Sequence, residues 1–228
     1  MAIAIITAGG TGTRFGNSVP KQFVTVNDIP IIVYTMLNVQ NSGCYKELYV
    51  VCADGWKDFI FSYAQQYGIR IFRNTISGAD SRFSSVSNGL SRLVEIYDEN
   101  EIVSIFDANR PLTPKFIFED GLKAIKEADC VIPLEPCFDS MYIAETDSKT
   151  VESTADRSVL FKGQSPETCR LGLAYELHRQ AEIEGTTERT TTALMLRYGK
   201  RVVYTKGVSN NFKITTAEDL AIFKALIN

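Results

Sequence analysis

The stretch Ala2-Ile-Ala-Ile-Ile-Thr-Ala-Gly-Gly-Thr-Gly-Thr-Arg-Phe-Gly16, followed closely by Pro20-Lys21-Gln22, joins an aliphatic run to a glycine-rich loop carrying two cations. Ala2 to Thr7 reads as a strand buried on both faces, as the parallel sheets of α/β proteins require. The glycines begin where that strand ends. Gly9, Gly10 and Gly12 lack a Cβ, so the backbone can take otherwise strained angles and its N–H groups can approach phosphate oxygens. Arg14 and Lys21 add the charge that bare amides lack, and the whole is suited to a nucleoside triphosphate.

Two commoner glycine loops do not match. A Walker-type loop ends in Gly-Lys-Ser/Thr, whereas Gly12 is followed by Thr13-Arg14. A dinucleotide fingerprint places a third glycine three residues after the second, where this chain has Phe15, with Gly16 one place late. Hydride transfer with a nicotinamide cofactor is therefore the weaker reading. A glycine-rich turn without a ligand is the plain alternative.

With 228 residues, 45% of them hydrophobic, the chain can bury the core of one large α/β domain, read as residues 1–228. Its 24 basic and 27 acidic residues give a net charge of −3, so no general attraction to nucleic acid is expected. The five cysteines are odd in number and lack a Cys-x-x-Cys pair, which points to reduced thiols, with neither a disulfide framework nor a zinc site. No secretory leader pattern and no apolar run of membrane length is seen, so no membrane association and a cytoplasmic location are expected. The single histidine, His178, falls on an amphipathic helix pattern and is expected at the surface. Catalysis through a histidine relay is not indicated.

Strands at Glu47–Cys52, Ile69–Phe72, Ile102–Phe106 and Cys130–Leu134 alternate with helices near 30–40, 56–67, 81–97 and 114–127, which implies a Rossmann-like, mostly parallel sheet with helices on both faces. Ligands in such sheets bind beyond the carboxyl ends of the strands, where Gly9 to Lys21 and Asp107 to Arg110 both lie. The segment 139–164 breaks the rhythm. Short runs at Met141–Glu145 and Ser158–Lys162, separated by a polar turn near Asp147-Ser-Lys149, read as a protruding β-hairpin arm at about 138–165. Pairing of that arm with the same arm of a second subunit would cover its edge, so a homodimer is expected. Helices over 171–184, 190–198 and 217–227 and a strand over 201–205 complete the domain.

Three groups at predicted strand ends or loops are the candidates for the chemistry: Arg14 with Lys21, Asp107 with Arg110, and Lys213 in Asn210-Asn-Phe-Lys-Ile-Thr-Thr216. Triphosphate bound with Mg²⁺ needs cations on its oxygens and an acidic group or phosphate oxygens on the metal, and Asp107 is the best candidate for a protein ligand; capping of the following turn is its other reading. Phosphoryl and nucleotidyl transfer rest on alignment and charge stabilisation. If the nucleophile is itself a phosphate monoester, its second pKa near 6 leaves it mostly dianionic at neutral pH, and no general base is required. Arg157 and Lys213 are available to clamp such an acceptor. Gly78-Ala-Asp-Ser-Arg82-Phe-Ser-Ser85 opens a helix with Asp80 or Ser81 as N-cap, and Asp80 and Ser85 could hydrogen-bond a base or ribose.

Taken in order, Thr7-Ala-Gly-Gly-Thr-Gly-Thr-Arg14, Pro20-Lys-Gln22, Gly78-Ala-Asp-Ser-Arg82, Asp107-Ala-Asn-Arg-Pro111, Gly163-Gln-Ser-Pro166 and Asn211-Phe-Lys-Ile-Thr215 resemble the cytidylyltransferases acting on ribitol phosphate and on methylerythritol phosphate. The resemblance implies a nucleotide-diphospho-sugar-transferase-like fold, CTP as co-substrate, Mg²⁺ or another divalent cation, release of pyrophosphate, and a homodimer joined by the arms. It implies transition-state roles for Arg14 and Lys21, contacts to CTP from Ala8, Gly9, Gly10, Gly78, Asp80 and Ser85, and acceptor binding by Lys213 and by Arg157 reaching into the partner's site. Thr11, Gly12, Arg82 and Ala108 in the same motifs are assigned to the CTP site, and Arg110 and Asp139 to the polyol phosphate. The double glycine and Ser209-Asn-Asn-Phe-Lys213 look closer to the ribitol-phosphate enzymes. Phe106 replaces the histidine usual before the Asp107 position, Asn210 stands where methylerythritol enzymes more often have an aspartate, and Thr186-Thr-Glu-Arg-Thr-Thr-Thr192 departs from a Thr-Asp-Asp/Glu pattern. A nicotinamide-dependent oxidoreductase and a catalytically silent nucleotide sensor are the readings from other classes.

Overall fold

Alternate residues of the first strand, β1 (Ala2–Ala8), face opposite helical layers, as the two-residue repeat of a strand requires. Ala4 and Ile6 enter one apolar cluster and Ile3 and Ile5 the other, and all four are fully buried. The computed structural model describes residues 1–10 and 19–227. β1 lies mid-sheet, parallel to both β4 (Tyr45–Cys52) and β6 (Ile102–Asp107). Beyond β4 comes β5 (Phe72–Ser77), also parallel.

On the other side of β6 the direction reverses. β11 (Glu167–Arg170) runs antiparallel between β6 and β7 (Cys130–Pro136), β10 (Phe161–Gly163) pairs antiparallel with the end of β7, and β12 (Val202–Lys206) pairs parallel with β7. One face of the sheet is covered by α1 (Ile31–Ser42), α2 (Lys57–Gln66) and α4 (Lys115–Ala124). The other is covered by α3 (Arg82–Val94), α5 (Leu171–Ile183) and α6 (Thr191–Arg197). A third cluster seats α7 (Ala217–Ile227) through Phe223 against Ile31 and Val26. Val26 belongs to a small hairpin, β2 (Thr25–Val26) with β3 (Ile29–Pro30), whose turn residues Asn27 and Asp28 take φ of +49° and +62°, the left-handed region that Asn and Asp tolerate best. The architecture is the expected mixed α/β fold, its central sheet mostly parallel.

Three expectations need correction, and one strand was not anticipated. The third strand is Phe72–Ser77, not Ile69–Phe72. The Ile69 amide closes onto the Ala64 carbonyl at the end of α2, while Arg73, Asn74 and Ser77 are exposed, so this edge strand lacks the apolar signature of its neighbours. The arm does form, but β8 (Met141–Glu145) pairs with β9 (Thr150–Ala155); Phe161–Gly163 instead joins the main sheet. Short, polar Glu167-Thr-Cys-Arg170 forms a central strand that its composition does not announce. His178 is buried, not exposed: its ring stacks on Phe83 at 4.6 Å, Nδ1 meets Ser87 Oγ at 3.0 Å, and Nε2 meets Thr191 Oγ1 at 3.1 Å. The two hydroxyls satisfy both ring nitrogens, which makes burial tolerable. Phe106, at the position where the resembled enzymes usually have a histidine, is a core residue packed edge-on against Tyr45 and Phe118.

Burial, with a lesser contribution from the Arg82 charge, holds the His178 pKa down to about 4. Below pH 6.5 the unfolded chain takes up a proton that the folded chain refuses, so this residue weakens the fold as pH falls from 6.5 towards 4. The linked loss is about 3 kcal/mol for the whole interval. Chemical denaturation between pH 7 and 4 should show that loss in the wild type, and His178→Gln should remove the histidine-linked component; equal pH slopes for the two proteins would contradict the buried neutral imidazole.

Candidate active site

Residues at and beyond the carboxyl ends of β1, β5 and β6 converge on one pocket. Its wall includes Ala8, Gly9 and Gly10 at the end of β1, Lys21 and Gln22 from a short 3₁₀ turn, Ala79 to Arg82 and Ser85 at the start of α3, Asp107 to Asn109 at the end of β6, and Lys213. Thus residues separated by some 200 positions meet where the fold places ligands.

Several local devices shape the wall. Gln22 is buried and its Nε2 donates to the Ala8 carbonyl at 2.6 Å and the Gly10 carbonyl at 2.9 Å, pinning the glycine loop. Phe23, stacked on Trp56 at 3.9 Å, anchors the turn that carries Lys21. Ser81, not Asp80, is the N-cap of α3, accepting from the Ser84 amide at 3.0 Å, so Asp80 is released from that role. Ser85 is buried; its Oγ accepts from the Ala79 amide at 3.0 Å and donates to the Ala79 carbonyl at 3.2 Å, tightening the turn before the helix. A Cβ on Gly9 would lie 3.2 Å from that hydroxyl, and one on Gly78 would lie 3.3 Å from the Cys52 backbone. Close packing therefore accounts for both glycines. Gly78 stands behind the wall, its amide bonded to the Cys52 carbonyl.

Asp107 sits at the centre of the cations. Its Oδ2 is 3.2 Å from Arg110 Nε and 3.2 Å from Lys213 Nζ, and its Oδ1 is 3.5 Å from Arg82 Nε. Burial raises the carboxyl pKa, but Lys213, Arg82 and Arg110 together override it and hold the group well below the usual carboxylate range. Asp107 is thus ionised. Its carboxylate engages side chains and does not cap the turn, since the Arg110 amide bonds to the Asp107 backbone carbonyl.

The two arginines are held from behind. Arg82 Nη2 donates to buried Glu167 at 2.8 Å, and Arg110 Nη1 donates to the Asn211 carbonyl. Asn211 is itself fully buried, its Nδ2 donating to Gln164 Oε1 at 3.1 Å and to the Ser165 carbonyl at 3.0 Å. Lys213 is the most accessible cation of the three, its side chain 38% exposed against 27% for Arg82 and 11% for Arg110.

Among the expected site residues, the pocket unites Ala8, Gly9, Gly10, Lys21, Asp80, Arg82, Ser85, Asp107, Ala108 and Lys213. Arg110 supports Asp107 from outside the lining. Asp139 and Arg157 are exposed near the base of the arm, where Arg157 Nη1 donates to the Phe138 carbonyl at 2.6 Å, and neither lines this pocket. Thr11, Gly12 and Arg14 lie outside the described residues. Gln22, Asn211 and Glu167 carry structural duties at the site that their sequence positions alone do not reveal; Gln22 and Asn211 fall within the quoted motifs.

Among the described residues no cluster of three or more His, Cys, Asp or Glu side chains could hold a metal. Two carboxylates, Asp80 and Asp107, line the pocket; a magnesium ion at Asp107 would take most of its ligands from substrate phosphates and water.

The Gln22 contacts make a prediction. Gln22→Ala should free the glycine loop and weaken CTP binding about tenfold, equivalent to about 1.4 kcal/mol, as expected for losing buried hydrogen bonds. Calorimetric titration measures this, and unchanged affinity would remove Gln22 from the account.

Residues 2–228 match the family described as IspD, 2-C-methyl-D-erythritol 4-phosphate cytidylyltransferase. The chain is 31% identical to a ribitol-5-phosphate cytidylyltransferase of Lacticaseibacillus paracasei, with 100% of this chain and 98% of that protein covered, and 32% identical to one of Vibrio parahaemolyticus, with 100% and 96% covered. It is also 31% identical to a 2-C-methyl-D-erythritol 4-phosphate cytidylyltransferase of Syntrophotalea carbinolica, covering 98% of this chain and 95% of that protein. The fold is similar to the crystal structure of 4-diphosphocytidyl-2C-methyl-D-erythritol synthase from Anaerococcus prevotii, with a TM-score of 0.82, 23% identity, and 99% and 97% coverage. With this match along residues 2–228 and these relatives, the chain belongs to the IspD family of cytidylyltransferases.

Proposed function

We propose that this enzyme transfers CMP from CTP to D-ribitol 5-phosphate, forming CDP-ribitol and pyrophosphate. The observation that carries the reading is a pocket lined together by Gly9 and Gly10, Lys21, Asp107 and Lys213. Relatives named as ribitol-5-phosphate cytidylyltransferases favour the acceptor, together with the double glycine and the Ser209-Asn-Asn-Phe-Lys213 segment. The family description and the Syntrophotalea relative support 2-C-methyl-D-erythritol 4-phosphate as the second acceptor reading.

An oxygen of the acceptor phosphate attacks the α-phosphorus of CTP; the new P–O bond forms as the bond to pyrophosphate breaks. The acceptor is a dianion at neutral pH, so no proton has to leave the nucleophile and no general base is needed. Buried His178 has no part in this step. Lys21, with Arg14, stabilises the charge that builds up at the reacting phosphorus. Backbone amides of the glycine loop receive the triphosphate, and Asp80 is free to meet the nucleoside. Asp107 would hold a divalent cation, which would neutralise charge on the phosphate oxygens. Lys213, the most accessible member of the cation group, clamps the acceptor phosphate.

Asp139 and Arg157 we assign to the acceptor through a homodimer, in which the arm of one subunit reaches the other's pocket. The arm is solvent-exposed along both strands, with Tyr142, Ile143 and Val151 each more than half exposed, which leaves apolar surface for a second copy to cover. Five free cysteines, three of them buried, fit a reducing compartment, and we place the enzyme in the cytoplasm. Among the described residues no helix is long and apolar enough to cross a membrane.

Pyrophosphate release from CTP and Mg²⁺ with each acceptor tests the reading: ribitol 5-phosphate should be used with at least about tenfold higher kcat/KM than 2-C-methyl-D-erythritol 4-phosphate, about 1.4 kcal/mol in transition-state binding. The reverse preference would reassign the acceptor, and no release with any polyol phosphate would sink the transferase reading. Lys21→Ala should lower kcat by more than about a hundredfold, on the order of 3 kcal/mol. Light scattering should give twice the monomer mass, and replacing residues 141–155 by a short turn should give a monomer with impaired turnover.

A further inference from the structure

Trp56, the only tryptophan of the chain, is half-buried and lies against the turn that carries Lys21. Its ring is stacked on Phe23, with centroids 3.9 Å apart and planes within 6° of parallel. Lys21 opens and Phe23 ends a single 3₁₀ turn, closed by the Phe23 amide donating to the Pro20 carbonyl at 2.9 Å and by the Val24 amide donating to the Lys21 carbonyl at 3.2 Å. Trp56 itself ends a second 3₁₀ turn, Asp54–Trp56, which follows β4. Ser77 Oγ, at the end of β5, donates to Asp54 Oδ1 of that turn at 2.8 Å. One aromatic contact thus bridges the turn of Lys21 and the strand end that leads into Ala79 and Asp80, another part of the pocket wall.

We propose that Trp56 is a positioning residue for Lys21: its flat face holds Phe23, and through the closed turn it fixes the backbone from which the Lys21 ammonium reaches the reacting phosphates. The proposal rests on the reading of Lys21 as the lysine that stabilises charge in nucleotidyl transfer. Lysine carries its ammonium on a flexible four-carbon stem, so the charge is placed only as well as the backbone is held. A misplacement of about 1 Å can cost about a hundredfold in rate. Stacked rings fix orientation as well as distance, which an aliphatic side chain of similar bulk does not. Gln22 is held independently, since its bonds to the Ala8 and Gly10 carbonyls do not pass through Phe23. Loss of the stack should therefore disturb Lys21 while the glycine loop keeps its place.

The experiment is steady-state pyrophosphate release by the full chain, with CTP affinity measured in parallel by calorimetry. Trp56→Leu should lower kcat at least about tenfold with less than about a threefold change in CTP affinity, and Trp56→Phe, which keeps a flat ring, should retain most of the wild-type kcat. In a Lys21→Ala background Trp56→Leu should cost nothing further, because a residue that acts through Lys21 then has nothing left to position. Equal losses in the two backgrounds, a fall in CTP affinity that matches the fall in kcat, the same loss in Trp56→Phe, or an unchanged kcat would each overturn the proposal. Should Trp56→Leu fail to fold, the wild-type indole decides, because CTP that engages Lys21 pulls on the turn bearing Phe23. Saturating CTP should change the tryptophan emission of the wild type and not that of Lys21→Ala; the same response in both, or none in the wild type, would overturn the proposal. Wild-type protein that releases no pyrophosphate with any acceptor, or Lys21→Ala with full turnover, would count against the transferase reading itself, a result distinct from all of these.

Discussion

The buried carboxylate of Asp107 is the interaction on which the site depends. It ends β6 and is met by Arg82 from α3, Arg110 from the following turn and Lys213 from beyond β12, at 3.2 to 3.5 Å. A buried carboxylate without partners would cost several kcal/mol or take up a proton. The three cations keep it charged, and in doing so they bind distant parts of the chain to one point. Stability and readiness for chemistry therefore come from the same contacts.

The surrounding polar network extends this logic outward. Gln164, Asn211 and Thr113 hold the backbone that presents Arg110 and Lys213, while Glu167 holds Arg82. Gly207 lies in a space that any side chain would fill: an added Cβ would stand 2.7 Å from the Leu134 backbone. These residues specify geometry without needing to touch a substrate. The cations they present suit a reaction between phosphates, in which the protein contributes alignment and charge and leaves proton transfer aside.

The parts of the fold that were legible in the sequence are those set by local periodicity. The doubly buried β1, the helix Ala217–Ile227 and the glycine loop at a strand end all declare themselves, because burial on two faces and on one helical stripe leaves different residue patterns. Edge strand β5 and inserted strand β11 were not legible. The former is polar because its outer side faces water, and the latter is short and carries Glu167 for an ion pair formed with a residue 85 positions away. His178 misled for a related reason: a buried imidazole and an exposed one look alike in a helical repeat, and only the distant partners Ser87 and Thr191 separate them. At the site, the cations at strand ends could be read directly, whereas the supports Gln22 and Glu167 act through tertiary contacts.

A crystal structure with CTP and Mg²⁺ tests the central claim most directly. The account predicts the triphosphate against Gly9 and Gly10, a metal ion about 2.1 Å from an Asp107 oxygen, and Lys213 turned from Asp107 towards phosphate. Nucleotide bound elsewhere, or a metal held without Asp107, would contradict it.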